Sequence, residues 1–459
     1  MGDLSFRPGS TVHFVGIGGA GMSAIAKVLL ERGVKVSGSD LKASRPATLL
    51  EAMGAEVHIG HDAALVEGAD VVVVSSAIPE RNPELRAASE GGIPVVTRGE
   101  ALAAVLSGHR AIVVAGTHGK TTTTSMIVSV LRAAGRDPTY LVGGGNEAGT
   151  NAKSGRDDLA VAESDESDGS FLLLRPSIAV VTNVEPDHVD YWESEDALHR
   201  AFESFVAATD PSGAVVVPAV QPEVVAWASA AGAVHVTFGD GGDVAAADVR
   251  FGAGEAAFDL EAGGERHPVR LRVPGGHNVM NALAAAAACR AAGLSPAQAA
   301  AGLGEYRGVE RRWHLRGEVG GVTVIDDYAH HPTEVRATLG ATRPGPWRRV
   351  VAVFQPHRYS RTRAFAGDFG ASFAGADRVV VTDVYGAGEE PVPGVTGKLV
   401  ADAVCRALPG RPVAYLPHRD ELVSYLAATS KPGDAVLTLG AGDVTTVGEE
   451  LLERIAAAG

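Results

Sequence analysis

The stretch VVAGTHGKTTTTSMI, residues 113–127, sets the tightest limit on the fold: an apolar β-type run stops at Gly-x-x-Gly-Lys-Thr and passes straight into a helix-compatible segment. A strand joined to a helix through a glycine turn is the repeating unit of a parallel α/β sheet, and the N–H groups at such a helix start favour a bound phosphate. The full phosphate-loop pattern asks for glycine at position 114, where this chain has valine. Two readings remain open. In one, a shortened loop of Gly116, Gly119 and Lys120 cradles phosphate oxygens, with Lys120 offsetting β/γ charge and Thr121 reaching a magnesium ion. In the other, the threonines are only a helix start and the lysine is solvated.

The same construction recurs along the chain. TVHFVG (11–16), VKVSGSD (34–40), VVVVSSA (71–77) and IPVV (93–96) read as a first set of strands, closed by a helix-like GEALAAVLSGHR (99–110). AIVVAG (111–116), LAVAE (159–163) and IAVVTN (178–183) form a second set, with a glycine-rich stretch near 240–273 that reads as extra strands and a helix over 278–293 ending at Gly293. GVTVIDD (321–327), RVVAVF (349–354), RVVVTDV (378–384) and DAVLTLG (434–440) form a third. With 459 residues, too many for one ordinary core, three α/β domains are expected at 1–108, 109–310 and 311–459, without an internal repeat.

Hydrophobic residues at 46% and charged residues at 21% describe a soluble globular chain, and a net charge of −15 with mixed signs argues against a nucleic-acid partner. The first ten residues lack the apolar core of a signal peptide, and no run approaches the length of a membrane span, so a cytoplasmic protein with no membrane partner is expected. Cys289 and Cys405 both lie in Ala-rich helical stretches and are expected to be buried thiols.

Two further patterns carry chemistry. Gly16-x-Gly18-x-x-Gly21 follows a strand and precedes a helix, and Asp40 lies about twenty residues on, at the end of the next strand. Any nucleoside diphosphate suits such a loop, and from the loop alone a nicotinamide cofactor is the natural guess. LAVAESDESDGSF places Glu163 at a strand end, where a carboxylate can reach a metal; Asp165, Glu166 and Asp168 read as solvated loop charges. VVTNVEPDHVDYW ends another strand with Asn183, Asp187 and His188, and the histidine, beside Asp187 at a strand end after a nucleotide loop, is a candidate metal or phosphate ligand.

Taken together, VGIGGAGMS, GTHGKTTT, ESDESDGSF…TNVEPDHVD, GHNVMNALAA and DDYAHHPTEV…QPHRYSRT resemble, in order and over nearly the whole chain, the Mur ligase family of ATP-dependent amide-forming enzymes of peptidoglycan precursor synthesis. The first loop, DDYAHHPTE and QPHRYSRT look most like the member that adds the first amino acid. The resemblance implies an N-terminal Rossmann-like UDP-binding domain, a central P-loop-type ATPase domain and a C-terminal Rossmann-like domain. It implies activation of a carboxylate by ATP to an acyl phosphate and attack by an amine, with ATP, UDP-N-acetylmuramate and L-alanine as small-molecule partners, Mg2+ (two ions) as cofactor, and a monomer or weak homodimer.

Carried onto this chain, the resemblance assigns the ATP site to Gly116, Thr117, His118, Gly119, Lys120, Thr121, Thr122, His277, Asn278, Asn281, Arg312 and Asp327; Arg311 beside Arg312 is an alternative, and Asn278 also reads as a helix N-cap. Thr121, Glu163 and His188 are the implied metal ligands, and Lys120, Glu163, His188 and Arg358 the implied catalytic groups. Gly18, Ala20, Gly21, Ser23, Asp40, Ser75 and Ser76 would meet the UDP sugar; Tyr328, His330, His357, Arg358 and Arg361 would surround the amino acid. Several family members bridge their metals with a carbamylated lysine in the helix after the TN…DH motif. Between Tyr191 and Gly276 this chain has no lysine, as expected of the alanine-adding member. Three other activities fit parts of the pattern: a ligase that recycles a whole peptide onto the same sugar, a nicotinamide-dependent oxidoreductase using the first loop, and an NTPase without a sugar substrate.

Overall fold

The computed structural model describes residues 4–75, 77–145, 150–187 and 191–458. Among these, strands assemble into three sheets of five, ten and six. The first sheet is parallel throughout, in the spatial order Glu56–Ile59, Lys35–Asp40, Thr11–Val15, Val71–Val74, Val95–Thr97. Strand order reverses beside Thr11–Val15, so the loops leaving it and Val71–Val74 open a crevice at their C-terminal ends, where α/β sheets take ligands.

In the second sheet Arg110–Ala115 lies between Ile178–Val181 and Leu159–Glu163 and is parallel to both. Three C-terminal strand ends therefore converge: the Gly116–Thr121 turn, Glu163, and the segment from Thr182 to Asp187. The glycine-rich stretch forms an antiparallel extension, Val244–Gly252, Glu255–Ala262 and Glu265–Leu271. In the third sheet only the edge pair His314–Val319 and Val322–Asp327 is antiparallel; Asp434–Leu439, Arg349–Phe354, Arg378–Val381 and Val413–Tyr415 continue it in parallel.

Central strands read as continuous apolar runs because both faces are covered. Ile112 and Val114 pack under the helices Lys120–Ala133 and Gly276–Ala291, whose alanines 284–288 are all buried. Ala111, Val113 and Ala115 face the other way, into a cluster that also holds Ile25, Leu29, Leu102 and Val105 of the first domain. The first two domains thus share one apolar core, while the third is built on its own two clusters.

Helix ends follow the expected chemistry: Gly293 adopts φ 99° just past the helix Gly276–Ala291. The expected cap at Asn278 is corrected. Gly275 is the N-cap, and Asn278 donates its side-chain amide back to the Pro274 carbonyl at 2.7 Å. One cysteine expectation is also corrected. Cys289 is buried, but Cys405 is exposed on the helix Gly397–Ala407, whose inward face is made by Val400, Ala401, Ala403 and Val404.

Phe354 is fully buried in the third sheet, its ring 4.9 Å from that of Phe369 and 5.3 Å from that of Phe373. Phe354→Ala should cost the C-terminal domain about 3–5 kcal/mol, read as an earlier C-terminal transition in chemical denaturation. An unchanged midpoint would contradict this packing.

Candidate active site

Position 114 explains the incomplete loop motif. Val114 is a fully buried strand residue, paired in register with Val180 on one side and Glu163 on the other, so the turn begins only at Gly116. Gly116 has φ 132° and Gly119, the N-cap of the following helix, has φ 81°. A Cβ on Gly116 would overlap Thr182 Oγ1, and one on Gly119 would overlap Asn281 Oδ1. The loop is pinned from the neighbouring strand end: Thr117 N–H donates to the Asn183 carbonyl at 3.0 Å, His118 N–H to Asn183 Oδ1 at 3.0 Å, and Thr182 Oγ1 to the His118 carbonyl at 2.6 Å. Asn183 therefore braces the loop.

Lys120 curls back over the turn, donating to the Gly116 carbonyl at 2.7 Å and to Glu166 Oε2 at 2.7 Å. Burial works against its charge, but Glu166, Asp165 and Glu163 outweigh it and hold the ammonium protonated. Two acidic residues expected to be solvated are not. Glu166 is 1% exposed and pairs with Lys120, while Asp168 accepts from Arg98 at 2.9 Å across the boundary with the first domain.

Thr121 and Glu163 lie within hydrogen-bond reach of one another. Burial raises the Glu163 carboxyl against a hydrogen bond from Thr121 and the charge of Lys120, and its buried Oε2 has no hydrogen-bond partner among the described residues. His188, the other expected metal ligand, lies outside the described residues. Asp187 is buried and accepts from Arg361 Nη2 at 3.0 Å, an interdomain pair. Among the described residues His118, Glu185 and His331 also converge, with ligand-type atoms within 4.8 Å of one another.

The nucleotide-side residues gather around the same helix start. Asn281 lies against Gly119 and accepts from Thr123 Oγ1 at 3.4 Å. Burial pushes His277 down to about 4, aided by Arg312. Arg311 turns into the third sheet, donating to the carbonyls of Gly440 at 2.7 Å and Gly442 at 3.1 Å. Arg312 instead faces the phosphate-loop side, 3.5 Å from Glu334 and within electrostatic reach of Glu163 and Asp327. Asp327, raised by burial to about 6, accepts N–H groups of Trp313 at 2.7 Å and Ala329 at 2.8 Å. Arg311 and Trp313 both hold left-handed backbone, φ 61° and 47°, where the third domain begins.

Tyr328, His330 and His357 cluster, with the His330 ring 5.3 Å from Tyr328 and 5.6 Å from His357. Burial lowers His330 to about 4 and His357 to about 3, so both are neutral at pH 7. Arg358 caps the helix Tyr359–Ser372 with φ 64°, a strained conformation for arginine. Arg361, expected at the amino acid, is only 5% exposed and is held by Asp187.

At the first loop, Gly18 N–H donates to Asp40 Oδ2 at 2.9 Å, and Ala20 and Gly21 open the helix Ala20–Glu31. Ser75 lies at the crevice edge and accepts from Ala77 N–H at 3.4 Å. Ser76 is outside the described residues. Ser23 departs from expectation: it is 3% exposed and its hydroxyl donates to the Ala20 carbonyl at 3.1 Å, because it sits on the inward face of that helix. Sequence reasoning missed Glu185 and Glu334 as well as Glu166; Glu334 stands inside the quoted DDYAHHPTE motif, which was the available signal.

The sequence matches three family descriptions: "Mur ligase family, catalytic domain" over residues 11–110, "Mur ligase middle domain" over 114–289 and "Mur ligase, glutamate ligase domain" over 311–442. It is 51% identical over 448 residues to a UDP-N-acetylmuramate--L-alanine ligase of Rubrobacter xylanophilus, covering 97% of this chain and 100% of the relative. The crystal structure of the UDP-N-acetylmuramate-alanine ligase MurC of Thermotoga maritima aligns with a TM-score of 0.83 at 30% identity, covering 98% of this chain and 100% of that one. A murein peptide ligase of Psychrobacter arcticus aligns with a TM-score of 0.73 at 26% identity, over 97% of this chain and 99% of that one.

His118 gives the site a pH signature. Burial opposes its charge, but Glu185 and Glu334 on either side lift it to about 9. A group raised above its unfolded value of about 6.5 contributes stability that is full below that value and is lost as pH climbs through about 9. Glu185 and Glu334, both lowered, contribute stability present above about 4.3 and lost as pH falls. Other charged or titratable neighbours are His331, His330 and Arg312. The melting-temperature gap between wild type and His118→Gln should be widest near pH 6 and close toward pH 9; a gap constant with pH would contradict the pairing.

Proposed function

The chain belongs to the Mur ligase family, and from that premise we propose that it joins L-alanine to the lactyl carboxylate of UDP-N-acetylmuramate, converting ATP to ADP and phosphate. The observation that carries the reading is the preformed Gly116–Thr121 turn facing Glu163, on a chain 51% identical to an enzyme of that name. A carboxylate is a poor acyl donor because its leaving group would be oxide. One lactyl oxygen therefore attacks the γ-phosphorus, the bond to the ADP oxygen breaks, and an acyl phosphate forms. The alanine amine then attacks the acyl carbon, and the tetrahedral intermediate expels phosphate as the nitrogen loses its proton. Phosphoryl transfer of this kind asks mainly for positioning and charge neutralisation.

Each domain has one task in this reading: residues 1–108 hold the UDP sugar, 109–310 hold ATP and 311–459 hold the amino acid. Gly18, Ala20, Gly21, Asp40 and Ser75 approach the diphosphate at the sheet's switch point, with Ser23 acting from behind. The N–H groups from Gly119 to Thr122, at the helix start, cradle the ATP phosphates, with Gly116 to His118 shaping the turn beneath them, and Lys120 exchanges Glu166 for the β/γ oxygens. His277, Asn278 and Asn281 line the adenine side, with Arg312 and Asp327 at the nucleotide. Tyr328, His330, His357 and Arg358 enclose alanine and the acyl phosphate, with Arg361 behind them. Since both histidines are neutral, Arg358 supplies the positive charge for the amino-acid carboxylate.

Thr121 and Glu163 fit Mg2+: an oxygen-only pair, one oxygen buried without a partner among the described residues, suits a hard cation. Such an ion would neutralise charge on the transferring phosphoryl group, and His188 would help hold a second ion near the substrate carboxylate. Among the described residues no helix is long and apolar enough to cross a membrane, in keeping with work on soluble precursors in the cytoplasm.

Two measurements test the reading. With Mg2+, ATP and UDP-N-acetylmuramate, L-alanine should support ADP release and a product of matching mass, while a murein tripeptide should not; preference for the tripeptide would make this a recycling ligase. Lys120→Ala should lower ADP release by about 100- to 1000-fold, as loss of a stabilising group at a developing charge does. Its binding of UDP-N-acetylmuramate should stay near that of wild type. Retained turnover would contradict the role of the lysine.

A further inference from the structure

Glu334, in the first turn of the helix Pro332–Thr342, touches three separate parts of the chain. One oxygen accepts the N–H groups of His330 at 3.0 Å and His331 at 3.3 Å, closing a capping box in which His331 accepts from Thr333 N–H at 3.3 Å. The other oxygen lies 3.4 Å from His118 Nδ1 in the phosphate loop and 3.5 Å from Arg312 at the start of the third domain. Its side chain is 11% exposed. On the far side of His118, Glu185 Oε2 stands 3.6 Å from Nε2 and accepts from Thr333 Oγ1 at 3.0 Å. His118 is thus held between one carboxylate of the central domain and one of the C-terminal domain, its ring 4.8 Å from that of His331.

A capping box needs only an acceptor at this position, and glutamine serves as well as glutamate. The cap hydrogen bonds do not need the negative charge of Glu334, which favours the helix start only modestly, yet that charge is directed at two cationic groups of the ATP side. The same carboxylate fixes the backbone of His330, which belongs to the amino-acid cluster. Reacting groups must be placed to well within an ångström for transfer to be efficient.

We propose that Glu334 is a positioning residue that couples the ATP and amino-acid subsites, holding the backbone of His330 and His331 at a fixed offset from His118 of the phosphate loop. Glu185 closes the clamp from the opposite side. The amino-acid loop is then in register only while the third domain is docked on the phosphate loop. This inference rests on the alanine-ligase reading above, because it assigns the His330 loop to the amine substrate.

The experiment compares the full-length wild type with Glu334→Gln and Glu185→Gln, using Mg2+, ATP, UDP-N-acetylmuramate and L-alanine. Glu334→Gln retains the cap, so its melting temperature and its UDP-N-acetylmuramate binding should stay close to wild type. Its kcat should fall by about ten- to a hundredfold, the size expected when one partner of a buried charged hydrogen bond is removed. Its KM for alanine should rise more than its KM for the sugar nucleotide. Glu185→Gln leaves the helix cap untouched and should lower kcat in the same direction, and the double variant should lose little more than the worse single one, as residues acting as a unit do. Should Glu334→Gln fail to fold, Glu185→Gln decides alone. If either folded variant matches wild type within about twofold in kcat and in KM for alanine, the coupling is overturned. A wild type that releases no ADP with alanine would overturn the functional reading, and this inference with it.

Discussion

The space beneath the phosphate loop governs the rest of the molecule. Gly116 and Gly119 have Thr182 and Asn281 where a side chain would be, and the loop's N–H groups and carbonyls are fixed by Asn183 and Thr182 from the next strand end. The turn is therefore shaped before any ligand arrives. That rigidity requires Arg110–Ala115 to lie centrally, with Leu159–Glu163 on one side and Ile178–Val181 on the other. It also sets where Glu163 and the loop from Thr182 to Asp187 can stand. A charged phosphate chain meets preoriented donors, and little reorganisation is left for the moment of reaction.

The two domain boundaries are built from opposite chemistry. The first and second domains share a continuous apolar cluster, reinforced by the Arg98–Asp168 pair. The described contacts between second and third domains noted above are polar or charged: Arg361 on Asp187, Thr333 on Glu185, Glu334 on His118. Among the described residues no apolar cluster spans that second boundary. An apolar interface fixes geometry, whereas one made of ion pairs and hydrogen bonds can exchange partners with water at small net cost. A polar boundary of this kind is the sort that would allow the third domain to move relative to the ATP site, and the strained backbone at Arg311 and Trp313 lies at that junction.

Much of this was legible in the sequence, because the signals are local. A β-branched run ending in glycine locates the three sheets, and the strand-end position of Glu163 follows from LAVAE alone. The glycine-rich stretch after Asp240 was readable as strands since it carries no helical period. What stayed hidden depends on partners distant in sequence. Nothing near Glu166 announces that Lys120, 46 positions earlier, will neutralise it, and Asp187 meets Arg361 across 174 positions. Glu334 lay in plain view within a quoted motif, but its second oxygen acquires a purpose only when the third domain lies against His118. Ser23 and Cys405 failed for another reason: each sits in a correctly expected helix, and only tertiary packing decides which face turns inward.

All roles assigned to the site turn on Lys120 giving up its carboxylate for a phosphate. The direct measurement is a crystal structure of the protein with Mg2+ and a non-hydrolysable ATP analogue. The account predicts the terminal phosphate over the start of the helix Lys120–Ala133, with Lys120 Nζ moved from Glu166 to the β/γ oxygens and the cation between Thr121 and Glu163. A terminal phosphate bound elsewhere, with the Lys120–Glu166 pair intact, would contradict it.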